Sequence, residues 1–505
     1  MKATSLFGRA TLCGAVTILI MISLDTTAQI QLAWVARYSN GITNGANQAV
    51  KMALDSNGNI IVTGFSQNTN NQLGYVTIKY APNGTQLWAA RYDSTTSPTG
   101  TPEAMAIDAS NCVIVTGSAV TIKYDSNGNQ LWTAPYAGTA LATDSNVNVY
   151  VAGFSKNFGT AKLTPQGSNV WLTTYVESYG KTVSQSVLVD RGGNVYVSGL
   201  DTDYYVPPGG PGYGPYVTLT TIKYSSNGTQ IWKSSYAPIP QSSNLQFGGA
   251  ALDSADDLYL MSNWPGFVGY FVTKYSTTGS NLWSMGGNNN TFSQGLGFAL
   301  DATGNLVVTG EVPYQYTGFF SYYYGTCKIN SSGSNAWSVF YPNPGYGTST
   351  ANSIAVDSAN NCYITGFSQG TNSTNNIVTI KYGSNGNQLW LQSYNGLNAG
   401  NDAGNAIAVD KSGNVYVTGY ETLPGGGTGI VTIKYAPITI QRQTNGTVLI
   451  ETQGSPGESF DIQASSDLLN WLDLGTFLAD TNGLLQFDDT NAPNFPARFY
   501  YTNPQ

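Results

Sequence analysis

The stretch DSNGNIIVTG, at Asp55–Gly64, decides the fold because close copies of it return along the chain. Seven further copies begin at Asp108, Asp144, Asp190, Asp253, Asp301, Asp357 and Asp410. The copies recur with a mean period of about 51 residues, and self-similarity at such a period marks a solenoid, a propeller or an array. Each copy joins a polar turn to a short run of β-branched and small residues, which is typical of a hairpin turn followed by a strand.

Each repeat predicts four short strands, and the seventh-to-eighth unit shows the first three most clearly. A run of small apolar residues at Ala403–Asp410 leads through a turn into Val415–Gly419, and Ile430–Tyr435 follows as a third strand. In earlier units a fourth strand carries a tryptophan, as in Gln388–Tyr394. Four short strands in a repeat of about 40–50 residues predict a propeller blade.

The tryptophans predict how the ring closes. Those that follow a third strand are Trp88, Trp132, Trp171, Trp232, Trp283, Trp337 and Trp390. An eighth, Trp34, precedes every first strand, whereas the last third strand, Ile430–Tyr435, has no tryptophan strand after it. We therefore predict an all-β propeller of eight four-stranded blades, closed by the N-terminal strand around Trp34–Tyr38, so that no sheet edge stays open. Seven blades, with one degenerate unit outside the ring, is the alternative.

The repeated unit AIAVDxxGNxYVTG…VTIKYxxNGxQLW resembles the bacterial beta-propeller repeat (SBBP) family, which is related to NHL propellers. The likeness covers residues 30–436 and implies the same fold. Some units depart from the pattern, because the copy at Asp144 lacks the glycine and neither Lys162 nor Lys328 is followed by tyrosine. The NG-x-x-LW turn also resembles the tryptophan-docking turns of eight-bladed quinoproteins. The chain lacks the vicinal cysteine pair of many such enzymes, and nothing marks a quinone pocket.

A targeting segment precedes the predicted propeller. Lys2 and Arg9 come before an apolar run around Ala15–Leu24, and small residues lead to Gln29. This is the pattern of a secretory signal peptide over residues 1–28. We expect a Sec-type export route and a protein outside the cytoplasm.

A small module is predicted at residues 437–505, where the repeat pattern ends. Its alternating segments predict a small antiparallel domain. The stretches ASSDLLNWLDLGT and NAPNFPARFYY resemble the C-terminal β-sandwich modules of secreted bacterial proteins. We expect Trp471 and Phe499 in its core.

Two repeated charged residues are interpreted as structural. An Asp that accepts hydrogen bonds from its own turn, with Gly or Asn at positive φ, explains the repeat turn without calcium. The third strands carry Lys79, Lys123, Lys162, Lys223, Lys274, Lys328, Lys381 and Lys434. Because strand one ends at the Asp and strand three ends near the Lys, we predict one Asp–Lys contact per blade.

The composition excludes several classes of function. The chain has no histidine, which rules out Ser-His-Asp and Cys-His sites and histidine-ligated metals. Its net charge is −8 and it has no basic cluster, which argues against nucleic acid and anionic membrane surfaces. We identify no catalytic residue, metal site or cofactor, expect no membrane span after the signal peptide, and expect a monomer.

The strand order sorts the loops onto two faces. The one-to-two and three-to-four turns are short and uniform and define the turn face. The two-to-three and four-to-one loops vary and define the variable face, where Leu200–Tyr216 and Glu311–Tyr324 are the longest two-to-three loops. Function usually resides on variable loops held by a rigid scaffold. The candidate ligand-binding residues are Tyr204, Tyr205, Tyr213, Tyr216, Tyr314, Tyr316, Tyr322 and Tyr346.

Three functions follow from this face. We favour a secreted, non-enzymatic scaffold that binds a protein or a glycan, because tyrosine offers rigid amphipathic contact area. A polysaccharide-active hydrolase or lyase using carboxylates such as Asp201 or Glu311 is the second hypothesis, since such pairs need no fixed sequence spacing. A purely structural surface protein is the third.

Overall fold

The computed structural model describes residues 30–94, 99–154, 158–175, 182–204, 215–237, 244–264, 269–286, 294–316, 319–342, 347–370 and 373–504. Nearly all of its regular structure is β-strand, and its one helical element is a 3-10 turn at Ala492–Asn494. In these ranges no helix has the length and apolarity needed to cross a bilayer. The predicted signal peptide lies outside the described residues.

Strands are numbered in chain order. The first seventeen are β1 (Ile30–Tyr38), β2 (Asn47–Leu54), β3 (Ile60–Gln67), β4 (Leu73–Tyr80), β5 (Gln86–Tyr92), β6 (Pro102–Ile107), β7 (Val113–Gly117), β8 (Thr121–Tyr124), β9 (Gln130–Ala134), β10 (Ala140–Thr143), β11 (Val149–Phe154), β12 (Phe158–Leu163), β13 (Asn169–Tyr175), β14 (Thr182–Val189), β15 (Val195–Tyr204), β16 (Pro215–Tyr224) and β17 (Gln230–Tyr236). The next fifteen are β18 (Gln246–Leu252), β19 (Leu258–Asn263), β20 (Tyr270–Tyr275), β21 (Asn281–Gly286), β22 (Gln294–Leu300), β23 (Leu306–Tyr316), β24 (Phe319–Ile329), β25 (Asn335–Tyr341), β26 (Ser349–Val356), β27 (Cys362–Gln369), β28 (Asn375–Tyr382), β29 (Gln388–Tyr394), β30 (Ala403–Val409), β31 (Val415–Thr422) and β32 (Thr428–Pro437).

These strands form eight antiparallel four-stranded sheets in the described part of the chain. Blades 1 to 7 are the consecutive sets from β2–β5 to β26–β29, and blade 8 joins β30, β31 and β32 to β1. The first strands contact one another in cyclic order, from β2 through β6, β10, β14, β18, β22 and β26 to β30 and back to β2. The sheets therefore surround a common axis, which confirms the predicted propeller fold.

The N-terminal strand closes the ring as predicted. β1 pairs antiparallel with β32, so that Trp34 lies opposite Lys434 and Tyr38 opposite Ile430. A bulge between Leu32 and Trp34 shifts the register. Because the two ends of the chain share this sheet, blade 8 cannot form until both have been placed.

The core lies between neighbouring blades rather than inside any one of them. At the closure, Trp34 and Ile430 of blade 8 pack in one cluster with Val62, Ile78 and Tyr80 of blade 1. The second and third strands are buried on both faces, as their continuous apolar runs predict. The interfaces between blades thus supply the main hydrophobic stabilisation of the ring.

Tryptophan docking links successive blades. In seven blades the fourth-strand indole donates its Nε1 hydrogen, over 2.9–3.1 Å, to a carbonyl in the three-to-four turn of the next blade. A glycine of that turn lies flat on the indole, as Gly128 does on Trp88. Trp390 is the exception, because the third and fourth strands of blade 8 come from opposite ends of the chain and have no tight turn between them.

Six more strands form a module after the ring. They are β33 (Thr439–Arg442), β34 (Val448–Gln453), β35 (Ser459–Ser465), β36 (Trp471–Leu478), β37 (Leu484–Asp489) and β38 (Phe499–Pro504). The sheets β33-β34-β37 and β36-β35-β38 enclose a core that includes Ile450, Phe460 and Ile462. The side chain of Gln31 on β1 bonds both Thr452 and Thr502, which ties the closing strand to the module. The domain boundaries given above stay a prediction.

The expectation that Trp471 and Phe499 are core residues is wrong. Trp471 is 40% exposed and Phe499 38% exposed. On β38 the residue that faces the core is Tyr500, as Ala464 does on the neighbouring strand β35. On β36 the first three residues, Trp471–Asp473, are all exposed. Alternation alone cannot tell which set of residues faces inward, and the large aromatics lie on the outer side.

Docking predicts unequal costs for two glycine substitutions. Gly128 and Gly304 both have positive φ, at 86° and 77°. A Cβ on Gly128 would lie 2.6 Å from the Trp88 ring, whereas one on Gly304 would meet nothing within 4 Å. We expect Gly304→Ala to lower the free energy of unfolding by about 1–2 kcal/mol, from backbone strain alone. Gly128→Ala should cost about 1–3 kcal/mol more through overpacking, as measured by denaturant titration. Equal costs would contradict the docking role.

Candidate functional site

The repeated Asp is held by its own turn. In blade 1, Asp55 Oδ1 accepts the backbone N–H groups of Asn57 and Asn59 at 2.9 Å, and Oδ2 accepts the Asn59 side-chain amide. Gly58 has a φ of 76°. These contacts support the interpretation of the repeat turn as a structural turn.

The predicted Asp–Lys contact forms in six blades. The Nζ–Oδ2 distances range from 2.7 to 3.9 Å, and the side chains are largely buried. The pairs are Lys79–Asp55, Lys123–Asp108, Lys162–Asp144, Lys223–Asp190, Lys274–Asp253 and Lys328–Asp301. Each pair lies within one blade. The charges neutralise each other, so these six lysines do not form a basic ring.

Many of these lysines also reach the next blade. Lys79 Nζ and Trp88 Nε1 both donate to the carbonyl oxygen of Ser126, at 3.2 and 3.0 Å. The same double donation occurs at the carbonyls of Pro82, Pro165, Ser226 and Thr277. The two donors lie opposite each other in register, as Lys79 and Trp88 do. The recurrent Asp, Lys and Trp therefore form a single inter-blade contact.

The predicted Asp–Lys contact is wrong in blades 7 and 8. No ion pair within 4 Å joins Lys381 to Asp357, or Lys434 to Asp410, in the described structure. In both blades a second-strand tyrosine takes the oxygen instead, as Tyr363 donates to Asp357 Oδ2 at 2.8 Å. Burial lowers the pKa of Lys381 and lowers that of Lys434 to about 8.

A polar cleft on the turn face was not predicted. It encloses about 500 Å³ between blades 3 and 4 and is lined by Asp144, Tyr150, Lys162 and Arg191, among others. Tyr150 donates to Asp144 Oδ2 at 2.9 Å, and the Lys162–Asp144 distance is the longest of the six, at 3.9 Å. The departures at the Asp144 copy were visible in the sequence, but their effect on packing was not.

Two hairpins rise above the variable face. Among the described residues, β15 pairs with β14 as far as Asp201, and β16 pairs with β17 from Leu219 onward. Beyond those points Thr202–Tyr204 continues to pair with Pro215–Val217. β23 and β24 extend in the same way past Glu311 and Tyr324. We name these extensions the blade 4 arm (residues 202–204 and 215–218) and the blade 6 arm (residues 312–316 and 319–323).

The arms correct one expectation. The sequence predicts loops at Leu200–Tyr216 and Glu311–Tyr324, but the ends of both stretches continue as paired strands. The β-branched and aromatic residues of both stretches favour strand pairing. A long hairpin replaces a long loop wherever cross-strand pairs can form.

Five of the eight candidate tyrosines lie on the arms. Tyr204 and Tyr216 belong to the blade 4 arm, while Tyr314, Tyr316 and Tyr322 belong to the blade 6 arm. Tyr216 and Tyr322 are partly exposed. Tyr205, Tyr213 and Tyr346 lie outside the described residues. The arms rise from blades that are separated by blade 5, so the structure divides these tyrosines between two places.

The carboxylates of the variable face are held by internal contacts. Glu421 receives Arg37 Nε at 2.6 Å and the Tyr394 hydroxyl at 2.9 Å. Asp402 is fully buried and accepts two backbone N–H groups, and burial raises its pKa. Glu311 accepts a hydrogen bond from the Thr350 hydroxyl at 2.9 Å, and Asp201 is only 3% exposed. These contacts stabilise the strand ends.

Comparison with known proteins agrees with the repeat and the fold. The family model described as a beta-propeller repeat (SBBP) matches residues 396–420. This chain is a beta-propeller repeat protein. An uncharacterized WD repeat-containing protein of Acanthamoeba polyphaga mimivirus is 24% identical over 280 residues, which is 52% of this chain and 16% of that relative's length.

Two solved structures are similar to this beta-propeller repeat protein. A catalytically inactive virginiamycin B lyase from Staphylococcus aureus is 10% identical and covers 80% of this chain and 99% of its own, with a TM-score of 0.40. A gluconolactonase from Xanthomonas campestris is 15% identical and covers 63% of this chain and 93% of its own, with a TM-score of 0.32. At these values neither likeness supports an argument about activity.

The turn-face contacts predict unequal effects for two lysines. Lys123 lies 2.8 Å from Asp108, and both side chains are almost fully buried. Lys123→Met would leave that carboxylate buried without its cation, so we expect a loss of about 3–5 kcal/mol in the free energy of unfolding. Lys381→Met should change it by less than about 1 kcal/mol, because Tyr363 already satisfies Asp357 and burial disfavours the Lys381 charge.

Denaturant titration of the two variants at neutral pH would measure this difference. The result would contradict the account if Lys381→Met were as damaging as Lys123→Met.

Proposed function

We propose that this chain is a secreted, non-enzymatic scaffold that binds a protein or a glycan through its variable face. The observation that carries the proposal is the pair of arms, which extend past the strands that flank them. Both arms carry tyrosines that sequence analysis selects as candidate ligand contacts. The rest of the propeller supplies a rigid base for them.

The arms add little to the stability of the ring. A two-stranded hairpin is marginally stable in water when it stands alone. Strand pairing on the outer flanks of each arm stops at Asp201, Leu219, Glu311 and Tyr324 within the described residues. Ordered extensions of this kind favour a recognition role.

Tyrosine suits either class of ligand. Its ring buries apolar area, and its hydroxyl forms a hydrogen bond at the edge of the contact. The ring also loses little conformational entropy on binding, because it has only two side-chain torsions. Neither property depends on the sequence of the partner, so both a protein and a glycan stay within the proposal.

The enzymatic hypothesis has weaker support. Retaining and inverting glycosidases need two carboxyl groups that face a shared substrate. Glu311 and Glu421 instead contact their own scaffold, through Thr350 and Arg37. Export from the cytoplasm remains part of the proposal and rests on the pattern of residues 1–28.

The test combines ligand discovery with arm variants. The purified chain would be screened on a glycan array and used to capture partners from extracellular protein fractions. We expect the double variant Tyr216→Ala, Tyr322→Ala to weaken binding to the identified ligand about tenfold or more, the scale of hot-spot loss. The melting temperature should stay within a few degrees, because both side chains are partly exposed.

Leu131→Ala is the control, since Leu131 is an exposed residue on β9 of blade 2, outside both arms and the module. Unchanged binding by the double variant, or the absence of any ligand in both screens, would sink the proposal and favour a structural role. Cleavage of a polysaccharide that is lost in Glu311→Gln would establish the enzymatic hypothesis in its place.

A further inference from the structure

One open sheet face of the module carries exposed aromatic side chains. In the sheet β36-β35-β38, Trp471 and Phe499 lie in register on either side of Ser465, while Asp473 and Tyr501 flank Gln463. The three aromatic residues are 38–42% exposed. The rings of Trp471 and Tyr501 meet edge to face, with centroids 6.2 Å apart. We name the surface formed by Gln463, Trp471, Asp473, Phe499 and Tyr501 the aromatic face.

The turn beside this face has two solvent-exposed leucines, Leu468 and Leu469. Leu468 has a φ of 64°, a left-handed conformation that is strained for a residue with a branched side chain. Asp467 fixes the turn by accepting the backbone N–H groups of Leu469 and Asn470, at 2.9 and 2.8 Å. Leu469 is 83% exposed and Leu468 is 55% exposed. A backbone strained to keep apolar side chains in solvent is typical of a binding surface.

The module that carries the aromatic face is acidic. Arg442 and Arg498 are the only basic residues among residues 438–505, against eight aspartates and glutamates. Arg498 is buried and pairs with Asp489 at 2.7 Å, so its charge is satisfied in the core. Asp473 belongs to the aromatic face and is exposed. Asp461 precedes Gln463 by two residues on β35 and so lies on the same side of the sheet.

We propose that the aromatic face binds a basic peptide segment of a partner protein, one that places a lysine or arginine beside an apolar residue. A cation over the face of a tryptophan or tyrosine is attracted by the ring. Asp473 would add charge complementarity, which favours the correct partner and speeds association. Leu468 and Leu469 would cover the apolar neighbour of the basic residue.

Charge also separates this partner from two others. A second copy of the chain would bring its own excess of negative charge, since the net charge is −8. A neutral glycan would stack on the rings and donate hydroxyl hydrogen bonds to Asp473, but it would leave the leucines without an apolar partner and the Asp473 charge unpaired. This site lies on the module, so its occupancy does not depend on the arms.

The experiment uses the full chain and fluorescently labelled peptides. The probes are Ala-Leu-Arg-Leu-Arg-Ala and the matched peptide in which glutamate replaces arginine. By fluorescence polarisation at low salt, we expect the arginine peptide to bind and the glutamate peptide not to bind. Raising the ionic strength to about 0.5 M should weaken binding several-fold, because exposed charges are screened.

Trp471→Ala and Asp473→Asn should each weaken binding about two- to fivefold, the scale of exposed cation–π contacts and ion pairs. Glu451→Gln is the matched control, because it removes one negative charge from the opposite sheet and should have no effect. Melting temperatures report whether each variant is folded.

Four outcomes would overturn the proposal. The first is equal binding of both peptides, and the second is an equal loss of binding in Glu451→Gln and Asp473→Asn. The third is that the arginine peptide does not bind, whereas a neutral β-glucan oligosaccharide binds independently of salt and its binding is lost in Trp471→Ala. The fourth is loss of peptide binding in Tyr216→Ala, which would show that the peptide binds the arms instead.

Discussion

The ring depends on one carbonyl oxygen in each three-to-four turn. In several blades that oxygen receives two hydrogen bonds from the preceding blade, one from a lysine and one from an indole, as the Ser126 carbonyl does from Lys79 and Trp88. The lysine is held at its other side by Asp55. This polar contact thus couples the Asp turn and the fourth strand of one blade to the three-to-four turn of the next. The indole packs on a glycine of that turn and excludes water from the contact.

This constraint explains why the repeat looks as it does. The Asp, the turn glycine, the Lys and the Trp must recur together, because each is a partner of another across the blade interface. The contact also varies between blades that keep all of these residues, as when Tyr363 takes the oxygen of Asp357 that a lysine takes elsewhere. The loops of the variable face take no part in this inter-blade contact, so hairpins of different length can occur there without disturbing the ring.

The sequence predicted what periodicity and charge determine. The repeat, the closing strand at Trp34 and the Asp–Lys contacts follow from patterns that many copies share. Apart from the Asp–Lys contacts of blades 7 and 8, prediction failed where only one copy exists. Nothing in the alternation around Trp471 told which side faces inward, and a bulge at Leu474 changes the alternation further along the strand. The arms were missed because an unbroken strand and a long loop have similar composition when both are rich in tyrosine.

We propose that the residues shared by the repeats build the ring and that those that differ between repeats bind. The most direct test replaces residues 205–214, which join the two strands of the blade 4 arm, with Asn-Gly. Tyr204 and Pro215 are register partners, so a two-residue turn can join them. We expect the shortened chain to have a free energy of unfolding within about 1 kcal/mol of that of the unaltered chain, and to lose ligand binding. Cooperative destabilisation of the ring, or full retention of binding, would contradict it.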